Sequence, residues 1–112
     1  MNVTISLHDE FKCQFKRLNM KYRSLKNDLY ALQEALLCNP FQGDDLGDGV
    51  RKVRMAISSK GNGKSGGARV LTLAVLVDEN ANVTLLTIYD KNEIDNVSND
   101  YFSWLISNHE ED

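Results

Sequence analysis

The chain has 112 residues, of which 42% are apolar and 26% charged, and carries a formal net charge of −3. This is the composition of a globular protein and not of a disordered one, and the length sets the expectation of one domain, residues 1–112, with one modest core. No apolar run approaches the roughly 18–20 residues of a membrane span, and the leading MNVTISLHDE lacks the basic start and apolar stretch of a signal peptide, so the expectation is a cytoplasmic protein that does not engage a membrane.

Asn2 to Ser6 alternates Val3 and Ile5 with polar neighbours and reads as a first strand. His8-Asp9 opens a helical pattern in which Phe11, Phe15, Leu18 and Tyr22 form one stripe. The pattern resets near Arg23-Ser24. Ser24 is a suitable N-cap for a second helix, whose stripe is Leu25, Leu29, Leu32 and Leu36 and which Asn39-Pro40 ends. FQGDDLGDG, residues 41–49, reads as a loop. From Val50 to Ser58 the alternation of a strand puts Val53, Met55 and Ile57 on one face and Lys52 and Arg54 on the other. SKGNGKSGGA, with four glycines, is a turn; Arg69–Val77 and Val83–Tyr89 are two more strands; and Ser98 caps a last helix with Tyr101, Phe102, Leu105 and Ile106 on its apolar side.

The expected fold class is therefore α+β. The order is strand-helix-helix-strand-strand-strand-helix, the sheet antiparallel because its last three strands join through short turns. The helical hairpin packs on one sheet face and leaves the other at least partly open.

Charge is sorted along the chain. Residues 51–77 hold six Lys or Arg and no acid, whereas residues 78–112 hold nine acids and a single base, Lys91. A polyanion responds to the local patch within about 8–10 Å and not to the overall balance. The six cations, Arg51, Lys52, Arg54, Lys60, Lys64 and Arg69, suit a phosphate-binding face; equally, lysines on an edge hairpin can serve only to prevent sheet-to-sheet association. The glycine turn lacks P-loop spacing and precedes a strand where a P-loop precedes a helix. Cys13 and Cys38 read as ordinary thiols and not as a disulfide. His8 and His109, near opposite ends of the chain, give no metal-ligand spacing, so neither metal nor cofactor is expected.

The run GVRKVRMAISSKGNGKSGGARVLTL followed by TLLTIYDKNEIDNVS, together with KYRSLKNDL and the Asn-Pro after the second helix, resembles the RelE/HigB branch of the RelE/ParE toxin superfamily over about residues 11–98. The resemblance implies a RelE-like fold and the toxin of a bacterial toxin–antitoxin pair. It implies a metal-independent messenger RNA endonuclease, ribosome-dependent and acting in the A site, with a cognate antitoxin as partner. In that chemistry the 2′-hydroxyl attacks the adjacent phosphate and leaves a cyclic phosphate and a free 5′-hydroxyl. It requires a base, an acid and cations that hold the phosphorane charge; a lysine can act as base or acid where neighbouring cations disfavour its ammonium form. By resemblance Lys52 and Arg54 match the paired cations of the family's second strand. Arg69 matches its phosphate clamp, Lys64 a loop lysine of this branch, and Lys91 the base that ends the last strand and acts as acid. These five are the catalytic set, with Arg51, Lys60 and Tyr89 as RNA contacts. The tyrosine that some members carry just past the last strand has no counterpart in Ile94–Ser98. A gyrase poison of the ParE kind and a non-catalytic member that binds antitoxin or RNA are the alternatives.

Overall fold

The computed structural model describes residues 2–61 and 63–93, together with 104 and 107. Strand β1 (Asn2–Leu7) alternates exposed polar residues with Val3, Ile5 and Leu7, which pack against the core. His8 then caps α1 (Asp9–Asn19), its Nδ1 accepting the Glu10 N–H at 2.9 Å. Asp9 and Glu10 in the first turn and Lys16 and Arg17 in the last complement the helix dipole. The second helix, α2 (Leu25–Cys38), carries the expected leucine stripe, and all four stripe leucines are buried. Ser24 precedes it but makes no capping bond; its hydroxyl donates instead to the Asp28 carboxylate at 2.7 Å. Neither helix is long and apolar enough to cross a membrane.

Four further strands follow: β2 (Asp44–Gly47), β3 (Val50–Met55), β4 (Ala68–Val77) and β5 (Asn80–Asp90). Two single turns of 3-10 helix, Ser58–Lys60 and Lys64–Gly66, lie between β3 and β4. The five strands form one sheet in the order β1-β5-β4-β3-β2.

The α+β class is as expected, but the sheet is mixed and not purely antiparallel. Strands β2 to β5 pair antiparallel, β2 with β3 and β4 with β5 through two-residue turns and β3 with β4 through the longer segment 56–67, whereas β1 pairs parallel with β5, Asn2 opposite Asn80 through Leu7 opposite Leu85. A tight turn forces the antiparallel sense on its two strands. A strand followed by a long helical crossover is free to take either sense, and β1 is followed by both helices. Residues 44–47, expected as loop, are the edge strand β2. All four are exposed, so no apolar alternation marks them. The Asp48-Gly49 turn into β3 was the available signal: both residues have positive φ, 57° and 83°, as a two-residue type I′ hairpin requires. The expected last helix, Ser98 cap and apolar side included, lies outside the described residues, apart from helical Trp104 and Ser107.

The helices cover one face of the sheet. Phe11, Leu18, Leu25, Leu29, Leu32 and Leu36 meet Val53, Met55, Ile57, Val70, Val83, Leu85 and Ile88 in the main core. Each large side chain removed from water there contributes about 1.5–3 kcal/mol. The opposite face is partly open, with Val75 and Val77 exposed on it, and partly covered. Val50, Leu71, Leu86 and Tyr89 form a second cluster on it, with Leu71 and Leu86 0% exposed. Leu71 is opposite Thr87 and Thr72 opposite Leu85, so Leu86 is the extra residue of a β-bulge. The bulge turns Leu86 away from the helices and onto this second cluster.

Candidate functional site

The register of the three central strands aligns the sequence-predicted residues. Arg54 is opposite Arg69, and Arg69 is opposite Tyr89. With strands about 4.8 Å apart, these three side chains form one row across the sheet. Lys52 is opposite Leu71, one step along β3 on the same face, the face turned away from α1 and α2. The row exists because residues two apart on a strand share a face, so Lys52 and Arg54 must project together.

The loop between β3 and β4 carries one further cation, Lys64, at this end of the sheet and anchors the backbone of another, Lys91. The Arg69 guanidinium donates from Nη1 to the carbonyl oxygens of Lys64, at 3.1 Å, and Ala68, at 3.2 Å. The Lys91 N–H, just past β5, donates to the Gly67 carbonyl at 3.1 Å. Lys64, Arg69 and Lys91 are therefore tied to the same few residues of backbone. Gly67 is what lets that backbone approach: a Cβ there would collide with the Met55 carbonyl oxygen. Arg54, Lys64 and Lys91 are exposed and Lys52 is half-buried, whereas Arg69 is 8% and Tyr89 4% exposed. Burial raises the Tyr89 phenol above its ordinary pKa, and the nearby Arg69 charge offsets this only in part. Tyr89 is thus a proton or hydrogen-bond donor at neutral pH and not a phenolate.

Two sequence-predicted RNA contacts lie elsewhere. Arg51 follows the other parity of β3, opposite Thr72 and Asp45, and its guanidinium stands 6.0 Å from the centre of the Phe41 ring. Lys60 pairs with Asp90 at 3.0 Å, 5.6 Å from the centre of the Tyr22 ring, on the helical side of the sheet. Asp90 also accepts from the Tyr22 hydroxyl and from the Asn92 N–H. Burial pushes the Asp90 carboxyl up, but the bonds from Tyr22, Asn92 and Lys60 outweigh it and hold the pKa below the usual carboxylate range. The sequence placed Tyr22 in the apolar stripe of the first helix and gave neither it nor Asp90 a part in the site. Alternation offered a signal: if Tyr89 faces one side, Asp90 faces the helices, and a carboxylate buried there needs a cation.

A second buried carboxylate fixes the loop from the helix side. Asp28 accepts from the Ser24 hydroxyl at 2.7 Å, the Ser58 N–H at 3.0 Å and the Ser58 hydroxyl at 2.6 Å. The Ser59 N–H donates to the Ser24 hydroxyl at 2.9 Å, so the start of α2 holds the segment that leaves β3. Just past β5, Glu93 forms a two-point pair with Arg17 of α1 at 2.7 and 3.0 Å. Its pKa is lowered chiefly by that pair.

No family model matches the chain. Among the described residues no group of His, Cys, Asp and Glu is arranged to hold a metal ion, and both cysteines are free and exposed. What the site offers is cations of graded exposure around a buried arginine and a protonated phenol. Such a set can bind a phosphodiester, neutralise charge developing on it and move protons through lysine and tyrosine groups.

Proposed function

We propose that the protein is the toxin of a bacterial toxin–antitoxin pair and cuts messenger RNA without a metal, in the RelE/HigB manner. The single observation that carries this reading is the Arg54–Arg69–Tyr89 row, with Lys52 beside it and Lys64 and Lys91 tied to the same end of the sheet. Arg54, Arg69 and Lys64 hold the phosphate and the charge of the phosphorane. A lysine amine, for which Lys52 is the candidate, takes the proton of the 2′-hydroxyl as its oxygen bonds to phosphorus. Lys91 gives a proton to the departing 5′-oxygen, leaving a cyclic phosphate and a 5′-hydroxyl. Tyr89 supports the row as a hydrogen-bond donor. An antitoxin that shields this end with acidic residues completes the pair, and the ribosomal A site supplies the RNA.

A second reading, a member that binds RNA or antitoxin without cutting, is favoured by one observation: Arg69 and Tyr89, at the centre of the row, are almost wholly buried. Mapping messenger RNA 5′ ends after inducing the protein alone separates the two. New 5′-hydroxyl ends at in-frame codon positions, absent when translation is blocked, are expected for the nuclease. Intact RNA with growth arrest and blocked supercoiling would transfer the reading to a gyrase poison; intact RNA without arrest would leave binding alone.

A further inference from the structure

We infer that the cleft between α2 and the end of β3 is a nucleobase subsite that prefers a base with an exocyclic amine. The inference rests on the reading of the neighbouring cations as a phosphate site. Pairing of β2 with β3 stops at Asp44 opposite Lys52, so beyond Lys52 the outer edge of β3 has no strand beside it among the described residues. A cleft of about 220 Å³ opens there. That is below the roughly 300–1,000 Å³ of pockets that take whole drug-sized ligands, and it suits one ring system.

Its walls are Ala31, Leu32 and Ala35 of α2 and Met55 of β3, and Arg54 and Lys64 also line it. Apolar walls for a ring, with cations placed to hold the attached phosphate, are the two needs of a splayed-out nucleotide. Asp28 is the one acid of the lining, and its carboxylate is already engaged by Ser24 and Ser58.

Selectivity comes from Gln42. Its Nε2 donates to the carbonyl oxygens of Ala35, at 2.9 Å, and Asn39, at 3.1 Å. Two carbonyl partners fix which end of the amide is nitrogen, so Oε1 is presented as an acceptor. Cytosine offers an amine to such an acceptor. Uracil, equal in size, offers a carbonyl oxygen at the same ring position, and two acceptors facing each other repel.

The test uses the full chain, labelled with ¹⁵N and titrated with cytidine 5′-monophosphate, uridine 5′-monophosphate and ribose 5-phosphate. Cytidine monophosphate is expected to shift the amides of Ala31, Ala35 and Gln42 and to bind roughly fivefold tighter than uridine monophosphate, the difference one neutral hydrogen bond makes. Ribose 5-phosphate is expected to move only the signals near Arg54 and Lys64. Ala31→Leu fills the cleft from an exposed helix position, and Ala35→Leu does so independently; each is expected to abolish the cytidine shifts while sparing the ribose phosphate response. If cytidine monophosphate behaves as ribose 5-phosphate does, the subsite is overturned, and equal binding of the two nucleotides overturns the selectivity. No response to any of the three would overturn the phosphate reading itself, a failure distinct from the loss of the base-dependent shifts alone.

Discussion

The two arginines of the row differ in what removing them does. Arg54 is exposed on β3, and its guanidinium is available to a ligand. Arg69 is buried and holds the carbonyls of Lys64 and Ala68. Truncating an exposed side chain changes stability by less than about 0.5 kcal/mol, whereas unsatisfying buried hydrogen-bonding groups costs about 1–3 kcal/mol. Arg54→Ala should therefore abolish growth arrest and RNA cleavage with the melting temperature unchanged. Arg69→Ala should relieve the arrest too, but with a melting temperature lower by several degrees. Calorimetry beside a growth assay reads both quantities. Full toxicity in both variants would remove this row from the active site. Lys60 belongs to the opposite class: its partner is Asp90 beneath the helices, so Lys60→Ala is expected to weaken the fold before it weakens any contact with RNA.

At the scale of elements, the site depends on two close approaches between β3, the loop that follows it and the end of β5. The first is at Gly67. A methyl group there meets the Met55 carbonyl far inside contact distance, and strain of that kind costs about 1–3 kcal/mol. Gly67→Ala should lower the melting temperature and also displace Lys64 and Lys91, so cleavage falls further than the loss of folded protein explains. The second is the Tyr22–Asp90–Lys60 network. The folded pKa of Asp90 lies below the unfolded value near 4, so its stabilisation is complete above that value and is lost as pH falls through the folded one. Asp90→Asn leaves the Lys60 ammonium without its counter-charge, which for a buried pair costs about 3–5 kcal/mol at neutral pH. Melting curves from pH 7 down to pH 2 should show the wild type falling steeply below about pH 4, the variant falling less, and the two converging in acid. A constant gap between them would assign the acid sensitivity elsewhere. The Glu93–Arg17 pair shifts in the same direction, but it is partly exposed and contributes little.

The same elements show what could be read in advance. Two-residue alternation in β3 and β5 was enough to put Lys52 with Arg54 and to separate both from Val53 and Met55. It also assigned Arg51 to the other face, had its parity been followed. Lys60 lies in a 3-10 turn, where no period of two or 3.6 indicates a direction. The partner of β1 was not legible for a different reason. Alternation of Val3 and Ile5 specifies which face is buried, and nothing local specifies which strand lies alongside. Strand β2 escaped because an exposed edge strand has no buried face to mark.

For the whole molecule, the fold converts a sorted sequence into a sorted surface. Three exposed cations, Arg54, Lys64 and Lys91, and the half-buried Lys52 gather at one end of the sheet, while the chain as a whole carries −3. Affinity for a single-stranded polyanion then depends on the local contacts, each releasing counterions with a slope of about −0.7 in log K against log salt. Three to four contacts predict a slope of roughly −2 to −3, so binding of a short single-stranded RNA should weaken about 100- to 1,000-fold per tenfold rise in salt. Removing any one exposed cation should reduce the slope by about 0.7. Lys60→Ala and Arg51→Ala should leave it unchanged, because those side chains are directed to the helical side of the sheet. Fluorescence anisotropy over a salt series measures each slope. A wild-type slope near zero would mean that the acidic remainder of the molecule cancels the patch, and the basic end of the sheet would then not be an RNA-binding surface.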